Sequence, residues 1–124
     1  MQLETEKLLF DVQRACELLE QFIRGKTLDD YCGDALLRSG VERQLGIVGE
    51  ALHQALRIDA DLENFITDLW QIVRFRNILI HAYSIVRHET VWGILQANLP
   101  VLREEVRTLL AGGQSDAQDA SSAC

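Results

Sequence analysis

The chain has 124 residues, 48% of them apolar, which is one domain's worth with enough core to fold without disulfide or metal staples. A formal net charge of -7 (12 Lys+Arg against 19 Asp+Glu) argues against a wholesale basic nucleic-acid or membrane-surface binder. One proline and eight glycines argue against a turn-rich β-sandwich or barrel, and no apolar run approaches the roughly 18 residues of a membrane span. The first predicted helix runs from about Leu3 to Arg24, with Leu8, Val12, Ala15, Leu18, Leu19, Phe22 and Ile23 at helical spacing and Gly25 as its stop. Thr27 opens a short piece, Leu28-Asp29-Asp30-Tyr31, which Gly33 ends. Asp34 is the expected N-cap of a second long helix with the stripe Ala35, Leu36, Val41, Leu45, Val48, Ala51, Leu52, Ala55 and Leu56. Gly46 and Gly49 inside it each cost about 1 kcal/mol relative to Ala, which close helix–helix approach would justify.

Ile58 to Asn64 reads as a connection, and Thr67 or Asp68 as the cap of a third long helix. Its face of Leu69, Ile72, Val73, Phe75, Leu79 and Ile80 is wide enough to predict a helix covered on more than one side. Tyr83 to His88 is a break, and a fourth long helix begins near Glu89, where Asn98 and Pro100 mark either a kink or a fresh start. Residues 112–124 are Gly, Gln, Ser, Asp, Ala and a terminal Cys, a composition expected to form a disordered tail beyond a helical domain of residues 1–111. The expected fold is an all-α bundle of four long helices plus a short one. Cys16, Cys32 and Cys124 are too scattered for a disulfide framework or a zinc site. With a start that lacks the plan of a secretory leader, they suggest a cytoplasmic protein. Cys16 and Cys32 are expected to be buried, Trp70 and Trp92 to be core or interface anchors, and His53 and His88 to be surface residues.

One segment departs from the acidic average. The twenty residues between Asp68 and Glu89 contain no acid, and they hold Arg74, Arg76, Arg87, His81 and His88. Within it lies Arg76-Asn77-Ile78-Leu79-Ile80-His81-Ala82-Tyr83. Asn77 and His81 are one turn apart and share a face, whereas Arg76 and His81 stand roughly 140° apart around the axis. One straight helix cannot easily aim both at one atom, but two copies facing each other across a symmetric dimer can. His81 is the motif side chain whose ordinary pKa lies near neutrality, which suits general acid–base work, and Arg76 suits an anion site, since a guanidinium grips phosphates bidentately. Asn77 shares the face of His81, and Arg74 and Arg87 are further cations of the candidate anion site. No His/Cys/Asp/Glu grouping has metal-ligand spacing, so neither a metal nor another cofactor is expected. Plainer readings stand beside these: His81 as a helix C-terminal dipole partner, Arg76 paired to Glu50 of the neighbouring helix, and Tyr83 as a core tyrosine.

Arg76-x4-His81-x-Tyr83 resembles the signature of HEPN domains in the version carried by HepT-like toxins. Asn77 matches the polar residue after the Arg, the helix from Val41 to Ala51 resembles the Gly-Glu-Ala helix of that family, and Glu89-Thr90-Val91-Trp92 leading to Asn98-Leu99-Pro100 resembles its last helix. Arg87-His88 stand where an acidic residue would be typical before that helix. The resemblance spans about Leu3 to Leu110. It implies an all-α homodimer with the motif helices meeting in a cleft between subunits. It also implies a metal-independent endoribonuclease acting as the toxin of a toxin–antitoxin module, and a nucleotidyltransferase antitoxin that transfers AMP to Tyr83. Two other readings are a non-catalytic helical binding module that partners a nucleotidyltransferase, and a purely structural interaction protein.

Overall fold

The computed structural model describes residues 1–120 of the chain, and all of its regular structure is helical. Helices α1 (Leu3–Ile23), α2 (Leu28–Gly33), α3 (Ala35–Ile58), α4 (Leu69–His81) and α5 (His88–Ala120) follow in order, with 3₁₀ turns at Ala60–Asn64 and Tyr83–Ile85. The expected all-α bundle of four long helices and one short one is what forms. The long pair α1 and α3 makes the central contact, α5 packs on α1, and α4 packs chiefly on α3. The core is one continuous apolar cluster, with Leu9, Val12 and Leu19 of α1 meeting Val41, Val48 and Leu52 of α3 and Val91, Leu95 and Val106 of α5. Among the described residues no helix is long and apolar enough to cross a membrane.

Local chemistry sets the boundaries. Gly25 takes φ +73, the left-handed conformation that ends α1 without a Cβ penalty. Thr27 and Asp30 form a complete capping box at α2: Thr27 N–H donates to Asp30 Oδ2 (2.9 Å) and Asp30 N–H donates to Thr27 Oγ1 (3.2 Å). Asp34 caps α3 by accepting from Leu37 N–H at 3.0 Å. The guanidinium of Arg38 then donates to the carbonyls of Tyr31 and Cys32, satisfying the end of the short helix. Tyr31 is fully buried, and its ring packs on Trp92 (centroids 5.7 Å apart) and edge-on to the exposed His88 (6.0 Å). This cluster ties α2 to the first turns of α5, immediately after the segment that carries Tyr83.

Several expectations need correction. Neither Thr67 nor Asp68 caps α4 with its side chain. Asp68 occupies the cap position at φ 57 without a side-chain bond, and Thr67 instead gives both its N–H (3.0 Å) and its hydroxyl (2.8 Å) to Glu105 of α5. The start of α4 is therefore fixed by a tertiary contact that no local pattern announces. α4 is not covered on several sides: only Leu69 and Val73 are buried, Phe75 and Leu79 are half-buried, and Ile78 and Ile80 are exposed. Leu36 lies off the buried stripe of α3, 84% exposed. Of the two places expected for Trp70, the core is excluded: it is exposed and gives its indole N–H to Glu63 (3.0 Å); Cys32 and His53 are half-buried, unlike the fully buried Cys16. Pro100 sits inside a single helix, because α5 runs through it without a fresh start. The helix also passes Gly112, where composition places the start of a tail, and is described to Ala120; the last four residues of that expected tail, Cys124 among them, lie outside the described residues.

Candidate active site

Gly49 decides how α4 meets α3. A Cβ built on it would lie 2.3 Å from Cβ and 2.8 Å from Cγ of Arg76, and 3.5 Å from the carbonyl oxygen of Ile72. The missing side chain lets the two helices close at the level of Arg76, which accounts for one of the two glycines in α3. Gly46 behaves differently: a Cβ there meets nothing within 4 Å, because the residue opens onto a groove.

At the close approach a polar chain crosses from one helix to the other. Gln54 Nε2 donates to Glu50 Oε1 at 2.9 Å, Glu50 Oε2 pairs with the Arg76 guanidinium, and Arg76 NH1 donates to Asn77 Oδ1 at 2.8 Å. The pairing of Arg76 with Glu50 is thus present, and it holds the guanidinium rather than hiding it: the Arg76 side chain keeps 22% of its surface and lines the groove. Because the Asn77 oxygen is occupied by Arg76, its Nδ2 amide remains as the outward donor. The hydrogen bond from Gln54 is the main influence lowering the Glu50 carboxyl pKa; desolvation opposes it, and the charge of Arg76 reinforces it. A lowered carboxylate pKa adds stability above the unfolded-chain value and loses that contribution as pH falls through the folded value. Wild type should therefore melt higher than Glu50→Gln at neutral pH, and the gap should close in strong acid. Differential scanning calorimetry across pH measures this, and a gap that stays constant would refute the assignment.

α4 sorts its residues onto two faces. Arg76, Leu79 and Ile80, followed by Tyr83, line the groove together with Leu8 and Asp11 of α1 and Glu42, Arg43, Gly46, Ile47 and Glu50 of α3. The groove encloses about 730 Å³. Trp70, Arg74, Asn77, Ile78 and His81 form the opposite, solvent-facing stripe, and all five are exposed. His81 is the last residue of α4, where Ala82 leaves the helix (φ -139, ψ 37) after its N–H bonds the Ile78 carbonyl at 2.9 Å. Tyr83 lies in the break that the sequence marks after α4. It starts a 3₁₀ turn, is 73% exposed, and lines the Arg76 groove. Within one chain Arg76 therefore links the two faces: it lines the groove with Tyr83 and donates to Asn77, with His81 one turn beyond Asn77 on the outer stripe. Arg74 lies on the far flank of α4, beside Phe75 and Ile78, and Arg87 is exposed and 3.5 Å from Glu89. Sequence reasoning passed over two parts of this arrangement, the Gln54–Glu50 hydrogen bond and the groove residues Asp11, Glu42 and Arg43. The i to i+4 spacing of Glu50 and Gln54 was the available signal for the first. Among the described residues no group of three His, Cys, Asp or Glu side chains could hold a metal ion.

The all-helical bundle is consistent with a HEPN-type domain. The chain belongs to the HepT-like ribonuclease family: it matches the family described as "Ribonuclease HepT-like" over residues 12–109. It is 31% identical over 103 residues to "Probable ribonuclease HepT" of Thermococcus cleftensis, covering 82% of this chain and 91% of that protein. It is 28% identical over 105 residues to a protein of Methanocaldococcus jannaschii named "Putative RNase", covering 83% and 94%. A further M. jannaschii protein, whose name joins a gamma-glutamylcyclotransferase to an RNase of the same standing, is 27% identical over 111 residues; the chain spans 49% of its length. No solved structure matches the chain.

Proposed function

We propose that this protein is the endoribonuclease toxin of a toxin–antitoxin module, active as a homodimer and independent of metal. Membership of the HepT-like ribonuclease family carries the reading, and the exposed end of α4 supports it. The outer stripe of Trp70, Arg74, Asn77, Ile78 and His81 is too apolar and too rich in chemistry to be ordinary surface, and a two-fold axis beside it would bring two copies of His81 together. One His81 then takes the proton of the RNA 2′-OH while His81 of the partner subunit gives a proton to the departing 5′-oxygen. The 2′-oxygen bonds to phosphorus, the bond from phosphorus to the 5′-oxygen breaks, and the products end in a 2′,3′-cyclic phosphate and a free 5′-OH. Arg76, held by Glu50, supplies positive charge to the phosphorane, and Asn77 Nδ2 donates to a phosphate oxygen or to His81. Arg74 and Arg87 hold the strand on either side. Purified protein freed of antitoxin should sediment as a dimer and cleave single-stranded RNA in excess chelator to those ends. A monomer without activity, or cleavage abolished by chelator, would overturn the reading.

Tyr83 is the regulatory position of the same site. A nucleotidyltransferase antitoxin transfers AMP to it: Tyr83 Oη bonds to the α-phosphorus of ATP and pyrophosphate leaves. The 73% exposure of this tyrosine, at the lip of the groove that Arg76 lines, makes the phenol reachable by a second enzyme. Each AMP adds a charge of about -1 and a bulky base beside the site's cations, which excludes RNA. Intact-mass spectrometry after co-expression with the nucleotidyltransferase should show adducts in steps of one AMP, mapped to Tyr83 and absent in Tyr83→Phe. Adducts that persist in Tyr83→Phe would move the modification elsewhere. The same partner without adducts would favour the alternative, a helical binding module that the nucleotidyltransferase simply docks on.

A further inference from the structure

The groove between α1, α3 and α4 has chemistry of its own. Its floor is apolar, made of Leu8, Ile47, Leu79 and Ile80, and it is open at Gly46 because no side chain stands there. Its polar lining is Asp11 of α1, Glu42, Arg43, Glu50 and Gln54 of α3, Arg76 of α4, and Tyr83. None of the ion pairs or side-chain hydrogen bonds among the described residues uses Asp11, Glu42 or Arg43. These charged ends are unspent, and they surround a flat apolar space beside the guanidinium expected to meet the scissile phosphate.

We propose that this groove is a base-reading subsite: it takes one nucleobase of the RNA strand, adjacent to the phosphate at Arg76, and prefers bases that carry an exocyclic amine. A groove of about 730 Å³ is ample for a single nucleotide. The ring lies on the aliphatic floor, with the Tyr83 ring at the lip as a stacking surface. Ionised Asp11 and Glu42 only accept hydrogen bonds, so they match the amines of adenine, cytosine and guanine. Uracil has no exocyclic amine and offers only its N3–H between two carbonyl oxygens, so it makes the poorer match. Arg43 meets the neighbouring phosphate. The subsite rests on the ribonuclease reading for the origin of its ligand, but its binding is measurable without any cleavage.

The probes are short 2′-O-methyl homo-oligonucleotides of each base, which lack the 2′-hydroxyl nucleophile and so cannot be cut, titrated onto the purified dimer by fluorescence anisotropy. Wild type should bind the A, C and G oligomers at least about tenfold more tightly than the U oligomer, the scale of one charge-assisted hydrogen bond. Glu42→Gln presents an amide that both donates and accepts, so it should lift U binding and flatten the preference. Arg43→Glu should weaken all four alike. Gly46→Leu, where a Cβ meets nothing within 4 Å, should fold normally by circular dichroism yet fill the groove and abolish the preference. Equal binding of all four oligomers by wild type, or a preference unchanged in both Glu42→Gln and Gly46→Leu, overturns the subsite. The two readings fail separately. Base-selective binding by a protein that cuts no RNA would leave the subsite standing and remove the nuclease, while cutting with no dependence on Glu42 or Gly46 would do the reverse.

Discussion

His81→Ala should lower the rate of RNA cleavage by about two to four orders of magnitude, the usual contribution of a positioned general acid or base. His81 is exposed at the end of α4 and is absent from the buried core, so the substitution should leave the fold intact. The loss should fall on kcat more than on KM, since the imidazole acts on protons in flight and not on the strand at rest. Arg76→Ala should cost a comparable factor by a different route. It removes the charge opposite the phosphorane, and it leaves Glu50 without its cation and Asn77 free to turn. Arg76→Lys should rescue little, because an ammonium cannot hold Glu50 and Asn77 at once with the spread of a guanidinium. A mixed dimer, one protomer carrying His81→Ala and the other wild type, gives the sharper result. If acid and base come from the two subunits, a single lesion disables the one composite site that the dimer holds. A mixed dimer with half of the wild-type rate would instead place the whole reaction within one protomer.

What the sequence disclosed and what it withheld follow from the range of the forces involved. The helices were legible because their signals are local. Gly25, the Thr27–Asp30 box and the Asp34 cap each act within one turn, and the stripes of α1 and α3 repeat at helical spacing. The motif was legible because its spacing and residue types are themselves the signal. The cap of α4 was not, because Thr67 is held by Glu105, thirty-eight positions away in the chain. The exposure of Ile78, Ile80 and Leu36 was hidden for a related reason: an apolar side chain looks the same whether its cover is its own core or a second molecule. Tyr83 was assigned to the right break, but its direction depends on Ala82 leaving the helix into a 3₁₀ turn, and no residue in the segment dictates that turn over an extended one. The groove was invisible because its walls come from three helices, and each contributes residues that read locally as solvated charge or core edge.

Gly49→Ala should destabilise the fold and disable the site together. Replacing glycine by alanine inside a helix normally stabilises by about 1 kcal/mol, so on propensity alone the change should help. Here the added methyl would lie 2.3 Å from Arg76 Cβ and 2.8 Å from its Cγ. Those atoms are the root of the side chain, not its flexible end, so α4 as a whole has to move. Overpacking of this kind costs about 1–3 kcal/mol, enough to cancel the propensity gain and leave a net loss. The melting temperature should fall by a few degrees, on the scale of about 2–8 °C per kcal/mol for domains of this general size. Activity should fall further than stability alone explains, because α4 shifts against the Glu50 that holds Arg76. Gly46→Ala is the matched control, one turn away on the same helix. Its Cβ meets nothing within 4 Å, so the full propensity gain should appear as a higher melting temperature. Calorimetry on the two variants reads the helix contact directly. A Gly49→Ala protein as stable as Gly46→Ala, with wild-type cleavage, would mean that α3 and α4 do not close on Arg76 and that Glu50 is not what holds it.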